Sequence, residues 1–172
     1  NKGRYLVKIM ASFRSDKEAK QYVDTIRTAV DSGISHPNLY KCPMGDLYTT
    51  ILDSKSIRLI VMDFIEGSDF FSLKEKPNKK EIIFLSQQAA KINQLKLNPD
   101  YVYDSWAIPN FLKEYEKVKD KLNNEDLEFI KPLVEIFPKL NIAELPHCFV
   151  HGDIISTNVI RAKDNKIYII DF

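Results

Sequence analysis

The sequence has little of what marks a stapled, membrane-embedded or polyanion-binding chain. Its 172 residues include only two cysteines, Cys42 and Cys148, far apart and outside any C-x-x-C spacing. That argues against a disulfide framework or a zinc knuckle, and it makes the reducing cytoplasm the expected compartment. Apolar runs are short. Leu59 to Met62 is one of the longest, far below the ~20 residues a membrane helix needs. Neither charge dominates: 25 Lys and Arg against 24 Asp and Glu leave a net charge of +1. With no basic stripe, no nucleic-acid partner is expected. Asn1 to Arg4 lead directly into a strand-like run, so no signal peptide is expected either. Histidine is scarce, with three in the chain, which disfavours a metallophosphoesterase, whose site needs many His and Asp ligands.

What is present is an ordinary globular mixture, 44% hydrophobic and 28% charged, long enough to bury a core without staples. Tyr5 to Met10 reads as a strand. Ser15 and Glu18 fit a capping box, and Ala19, Tyr22, Val23, Ile26, Ala29 and Val30 recur at helical spacing behind it. Ser32-Gly33 ends that helix, and His36-Pro37-Asn38 reads as a turn. Leu47 to Leu52 and Ile57 to Ile65 read as an antiparallel pair around residues 53–56, with Glu66-Gly67-Ser68 breaking the second strand. Beyond this point the period becomes helical: Lys79 to Leu95, Phe111 to Leu122, and Glu125 to Leu140 with a disturbance expected at Pro132. Tyr101, Tyr103, Trp106 and Tyr115 read as a loop packed on helices, or as a cage for a quaternary ammonium group. A short strand Cys148 to Val150 and a hairpin, Asn158 to Arg161 with Lys166 to Ile170, close the chain. The expected fold class is α+β: a small antiparallel sheet with one helix, followed by a mainly helical lobe. The boundary divides residues 1–67 from 68–172.

The chemistry concentrates at the C-terminal end. A strand-like run ends in His151-Gly152-Asp153. Asn158 follows five residues after Asp153, and Asp171 closes the partner strand of the hairpin. A hairpin brings Asn158 and Asp171 to one end, near Asp153. Oxygen donors converging there suit a hard cation such as Mg²⁺, and a further carboxylate can take a proton from an attacking hydroxyl. Lys8 is the second signal, a cation inside an otherwise apolar strand, costly to bury without a partner. It also reads as a solvated edge-strand lysine.

The arrangement H-G-D-x-x-x-x-N, His151 to Asn158, followed by Ile170-Asp171-Phe172, resembles the aminoglycoside phosphotransferase and choline kinase family. That family shares the protein kinase-like two-lobe fold. The resemblance implies an ATP-dependent enzyme, with ATP or GTP as donor, that phosphorylates a hydroxyl of a small molecule such as an aminoglycoside, choline, homoserine or a sugar. It implies that Asp153 acts as catalytic base and that His151 braces the loop. It implies that Asn158 and Asp171 hold Mg²⁺, and that Lys8 binds the nucleotide phosphates while pairing with a helix glutamate, best placed at Glu18. The run Ile60 to Gly67 resembles the kinase hinge. There the Asp63 carbonyl and the Ile65 N–H would bind adenine, with Met62 at the back of the pocket. Asn93 stands where the family often has a histidine. Against the family pattern, the 172 residues are expected to be a fragment. They lack the hairpin that covers the phosphates and the later helices that complete the acceptor pocket. The competing class is a catalytically inactive kinase-like protein that binds nucleotide or a partner.

Overall fold

The computed structural model describes residues 3–43 and 45–172. Seven strands and five α-helices form among them, with 3₁₀ turns between. Strand β1 (Tyr5–Ile9) leads to helix α1 (Asp16–Asp31). Ser15 caps α1 reciprocally with Glu18, as the sequence pattern predicts, and Ala19, Val23, Ile26 and Ala29 form its buried face. The short β2 (Leu39–Tyr40) follows, then β3 (Tyr48–Leu52) and β4 (Lys55–Asp63). Strand β4 is the centre of an antiparallel sheet: β1, β2 and β3 all pair with it. Lys8 lies opposite Ile60, and Tyr5 opposite Asp63. The β3–β4 turn is tighter than expected. Leu52 already pairs with Lys55, and Asp53 and Ser54 both take positive φ, 49° and 61°, the requirement of a two-residue primed turn. Ile60 and Met62 meet Val23, Ile26 and Leu39 in a core cluster between sheet and helix.

Gly67 does not simply end a strand; it begins one. Strand β5 (Gly67–Asp69) pairs with β6 (Val159–Ala162), which pairs with β7 (Ile167–Ile169). Gly67 faces Ala162 so closely that a Cβ there would stand 2.2 Å from the Arg161 carbonyl oxygen. Backbone cannot give way as a side chain can. Gly67→Ala is therefore expected to cost about 2–3 kcal/mol, read as a fall in the thermal or urea midpoint. The β6–β7 hairpin agrees with the sequence reading. Helix α2 (Phe70–Leu73) and helix α3 (Lys79–Asn93) follow β5. Arg161 on β6 ties both to the sheet: its guanidinium meets Glu81 at 2.8 and 3.0 Å, binds Glu75, and lies 4.6 Å from the centre of the Phe70 ring.

Packing separates two compact units, 1–100 with 148–172, and 101–147. The lobe boundary read at residue 67 falls inside the first of them. In the second unit, α4 (Phe111–Val118) and α5 (Asn124–Ile136) are the main elements, and Phe111 packs 5.2 Å from Phe137. Helix α5 runs through Pro132. Proline at that point removes one ladder donor, the disturbance expected there, while its fixed φ lets the helix continue. Of the four aromatic residues singled out in the sequence, Tyr115 packs on Phe111 with 6.5 Å between ring centres, while Trp106 is 92% and Tyr101 75% exposed and Lys113 covers the Tyr103 ring at 4.1 Å, so the four form no cage. No helix among the described residues is long and apolar enough to cross a membrane.

The expected strand Cys148 to Val150 is also corrected. The segment carries no ladder. It is held instead by the Phe149 side chain, packed on the cluster of Ala29, Ile34, Ile92 and Ile169, and by Asn93, whose amide nitrogen can face the Phe149 carbonyl at 3.2 Å.

Candidate active site

Strand β4 delivers Met62 and Asp63 to the wall of a cleft of about 320 Å³ within the first unit. Lys8, Ile65 and Asp171 line the same cleft, as do Tyr22, His36, Ile160 and Ile170. Five sequence-chosen residues thus share one cavity. The Asp63 carboxylate is engaged on its own side of the strand, accepting from Asn38 Nδ2 at 2.8 Å and Tyr40 OH at 2.6 Å. The Ile65 N–H meets no acceptor among the described residues.

Lys8 is the most buried residue of β1, although its strand neighbours Leu6, Val7 and Ile9 are apolar and exposed. Its ammonium donates to the Tyr22 hydroxyl at 2.6 Å and to the Asp171 carboxylate. Burial alone would lower its pKa; the Tyr22 oxygen and Asp171 outweigh that and raise it above the ordinary lysine value. Although β1 lies at the edge of its sheet, Lys8 is thus a paired, half-buried lysine and not a freely solvated one. The expected Lys8–Glu18 pair is not formed. Glu18 Oε2 accepts from the backbone N–H of Ser15 at 2.6 Å and from Ser15 Oγ at 2.8 Å, and these bonds hold its pKa below the usual carboxylate value. The helix cap has claimed that carboxylate.

The loop from His151 to Asn158 is closed by its own side chains. His151 Nε2 donates to the Ile170 carbonyl at 3.1 Å, while Nδ1 accepts from the Asp153 N–H at 3.2 Å. Both ring nitrogens are occupied in the neutral tautomer, and burial lowers the pKa, which keeps the ring uncharged. Gly152 takes φ +82°, which lets the chain turn between His151 and Asp153. Asn158 Nδ2 donates to Asp153 Oδ2 at 2.7 Å and to the Asp153 carbonyl at 3.0 Å, so the amide fixes the carboxylate. The Asn158 carbonyl accepts from Ile170 N at 3.0 Å, which keeps Asn158 beside the end of β7 where Asp171 follows.

No group of three or more His, Cys, Asp or Glu side chains able to hold a metal exists among the described residues. The donor set here is different: the Asn158 Oδ1 amide oxygen and the Asp171 carboxylate. It fits Mg²⁺, which takes few protein oxygens and completes its shell with phosphates and water. In this structure the Asp171 carboxylate is paired with the Lys8 ammonium.

Sequence reasoning missed two residues of this site. In the sequence pattern Tyr22 is only part of the apolar stripe of α1, although it lies one turn after Glu18. His36 has the pattern of a turn residue, yet it is 5% exposed and its ring lies 5.6 Å from that of Phe172. The loop carrying His36 is drawn inward by neighbouring bonds. Ser35 N donates to the buried Gln88 Oε1 at 2.8 Å, and Ile169 N donates to the Ser35 carbonyl at 2.8 Å. Phe172 touches two of the core clusters and also faces His151, 4.6 Å between ring centres.

Burial pushes the His36 pKa down from 6.5 to about 4; Lys8 and His151 lower it too, while its bond to the Pro37 carbonyl and Asp171 oppose the shift. The folded protein therefore binds fewer protons than the unfolded chain between these values. Stability is full above pH 6.5 and falls as the pH drops towards 4. The expected loss from this group is roughly 3 kcal/mol. Urea unfolding at several pH values checks it: His36→Leu should flatten the slope, though not abolish it, because His151 is shifted in the same direction. An unchanged slope would contradict the assignment.

The comparisons with known proteins give the family and the fold. The model of the APH phosphotransferase enzyme family matches residues 1–172. The chain belongs to that family. Among solved structures, the spectinomycin phosphotransferase APH(9)-Ia, in complex with ADP and spectinomycin, superposes with a TM-score of 0.67 at 18% identity. The match covers 97% of this chain and 55% of that protein, so the chain spans about half its length. The shared fold is the kinase-like one, with small antiparallel sheets and helices. No curated protein sequence matches.

Proposed function

We propose that this chain carries the nucleotide cleft and catalytic loop of an ATP-dependent phosphotransferase that moves the γ-phosphoryl group to a hydroxyl of a small molecule. The observation that carries the reading is the convergence at one cleft of Lys8 and Asp171, 163 positions apart, while Asn158 holds the Asp153 carboxylate on the adjoining loop. Phosphoryl transfer asks mainly for positioning and charge stabilisation, and these groups supply both. Met62 and the backbone of Asp63 and Ile65 would seat the adenine. Lys8 would hold phosphate oxygens. Asp153, oriented by Asn158 Nδ2, would accept the proton of the acceptor hydroxyl. His151, with both nitrogens occupied, would brace the loop without transferring protons. Asn158 Oδ1 and Asp171 would hold Mg²⁺, which when bound neutralises charge on the phosphate oxygens.

The acceptor class is an aminoglycoside-, choline-, homoserine- or sugar-type alcohol. The spectinomycin of the structural neighbour belongs to that range. ATP is the expected donor, with GTP as the alternative, and the cytoplasm the expected place of action. The test is magnesium-dependent nucleotide binding followed by phosphoryl transfer to a panel of such alcohols. Lys8→Ala should weaken nucleotide binding by about tenfold or more, the loss of a charge-assisted contact. Binding without phosphoryl transfer to any acceptor would favour a kinase-like binding protein instead.

A further inference from the structure

We propose that Tyr22 is the positioning residue for Lys8, a neutral phenol doing on α1 what the family resemblance assigns to a helix glutamate. This rests on the nucleotide reading above and adds to it the group that sets the lysine. Three observations carry it. The Lys8 ammonium lies 2.6 Å from the Tyr22 hydroxyl and 5.0 Å from the ring centre. Glu18, the carboxylate one turn earlier, is bonded to Ser15 at the helix start. Tyr22 itself is held in place, because its ring packs against the buried cluster of Val23, Ile26, Ile60 and Met62.

The chemistry of the substitution is specific. A phenol oxygen accepts one Lys8 N–H and keeps its own O–H as a donor into the cleft, whereas a carboxylate only accepts. A neutral partner also leaves the full positive charge of Lys8 for the phosphate oxygens of a nucleoside di- or triphosphate. The other partner of Lys8 is Asp171, the candidate cation ligand. Once those oxygens turn to a cation, Tyr22 is the protein group left to hold the ammonium in place.

The experiment is calorimetric titration of the chain with MgADP, using wild type, Lys8→Ala, Tyr22→Phe and Tyr22→Glu, with thermal unfolding of each in parallel. A positioning role and a packing role give opposite orders. If Tyr22 positions Lys8, Tyr22→Phe weakens MgADP by about tenfold at an unchanged unfolding temperature. Tyr22→Glu, which restores an acceptor, then binds more tightly than Tyr22→Phe. If Tyr22→Phe binds as wild type while Tyr22→Glu is impaired, the ring matters only for packing and the inference is overturned, with the nucleotide reading intact. A wild-type chain that binds no MgADP overturns the nucleotide reading and the inference together.

Discussion

If the proposed phosphotransferase activity holds, Asp153→Asn is expected to lower turnover by roughly 10²- to 10⁴-fold, the usual size of a general-base effect, with nucleotide affinity little changed. The argument is geometric first. The Asp153 carboxylate receives Asn158 Nδ2 at 2.7 Å, whereas the Lys8 ammonium is bound to Asp171 and Tyr22. Asp153 and Lys8 are therefore on separate side-chain hydrogen-bond networks, and one can be altered while the other stands. The substitution is also mild for the loop. The Asp153 N–H to His151 Nδ1 and the Asp153 carbonyl to Asn158 Nδ2 are backbone contacts that asparagine retains. An asparagine can turn its own oxygen towards Asn158 Nδ2. What it cannot do is accept a proton from an alcohol. Steady-state kinetics with MgATP and a phosphorylated acceptor, set beside nucleotide titration and thermal unfolding, read the three quantities separately. Full turnover in the variant would mean that Asp153 is not the base.

The parts of this site that could be read from the sequence are those specified by short-range pattern. The α1 cap is a four-residue signature, and Ser15 with Glu18 forms it as written. The β6–β7 hairpin is local, so the sequence pattern alone puts Asn158 and Asp171 at one end of it. The ordered set His151, Asp153, Asn158 and Asp171 is recognisable because four polar residues flank short apolar runs. Elements that exist only through a distant partner were not legible. Strand β5 is Gly-Ser-Asp, a sequence with no strand propensity, and it forms because β6 lies close enough to demand a glycine. Cys148 to Val150 has strand propensity and no ladder, because the space beside it is filled by side chains.

The partner of Lys8 failed for a subtler reason. Glu18 and Tyr22 are four residues apart and share a helix face, so periodicity cannot choose between them. Charge favours the glutamate. The local cap at Ser15 takes it, and the phenol is left to meet the lysine. His36 shows the same limit: a His-Pro-Asn turn looks solvated in the sequence, and only the bonds of Ser35 to Gln88 and Ile169 draw it inward.

Asp171→Asn is expected to abolish the magnesium dependence of nucleotide binding and to lower turnover by at least about 10²-fold, while leaving the fold in place. Asp171 adopts a left-handed backbone, φ 64°, where most L residues are strained. Asparagine is one of the few side chains that tolerates that conformation, so the exchange removes a charge without asking the backbone to move. Phe172, packed on two core clusters and against His151, stays where it is, and so does the hairpin bond from Ile170 N to the Asn158 carbonyl. Two electrostatic losses follow. The ammonium of Lys8 keeps Tyr22 but loses its anionic partner, and the proposed cation-binding pair of Asn158 and Asp171 loses its only formal charge. An uncharged pair of amide oxygens is a poor match for Mg²⁺, which is hard, strongly hydrated and reluctant to shed water. Free of the carboxylate, Lys8 remains able to meet phosphate oxygens, so nucleotide without magnesium should bind the variant about as well as it binds wild type. The measurement is a pair of titrations, ADP with magnesium and ADP with chelator, on each protein. Wild type should separate the two clearly and Asp171→Asn should not. A variant that keeps the magnesium enhancement would place the cation on other ligands.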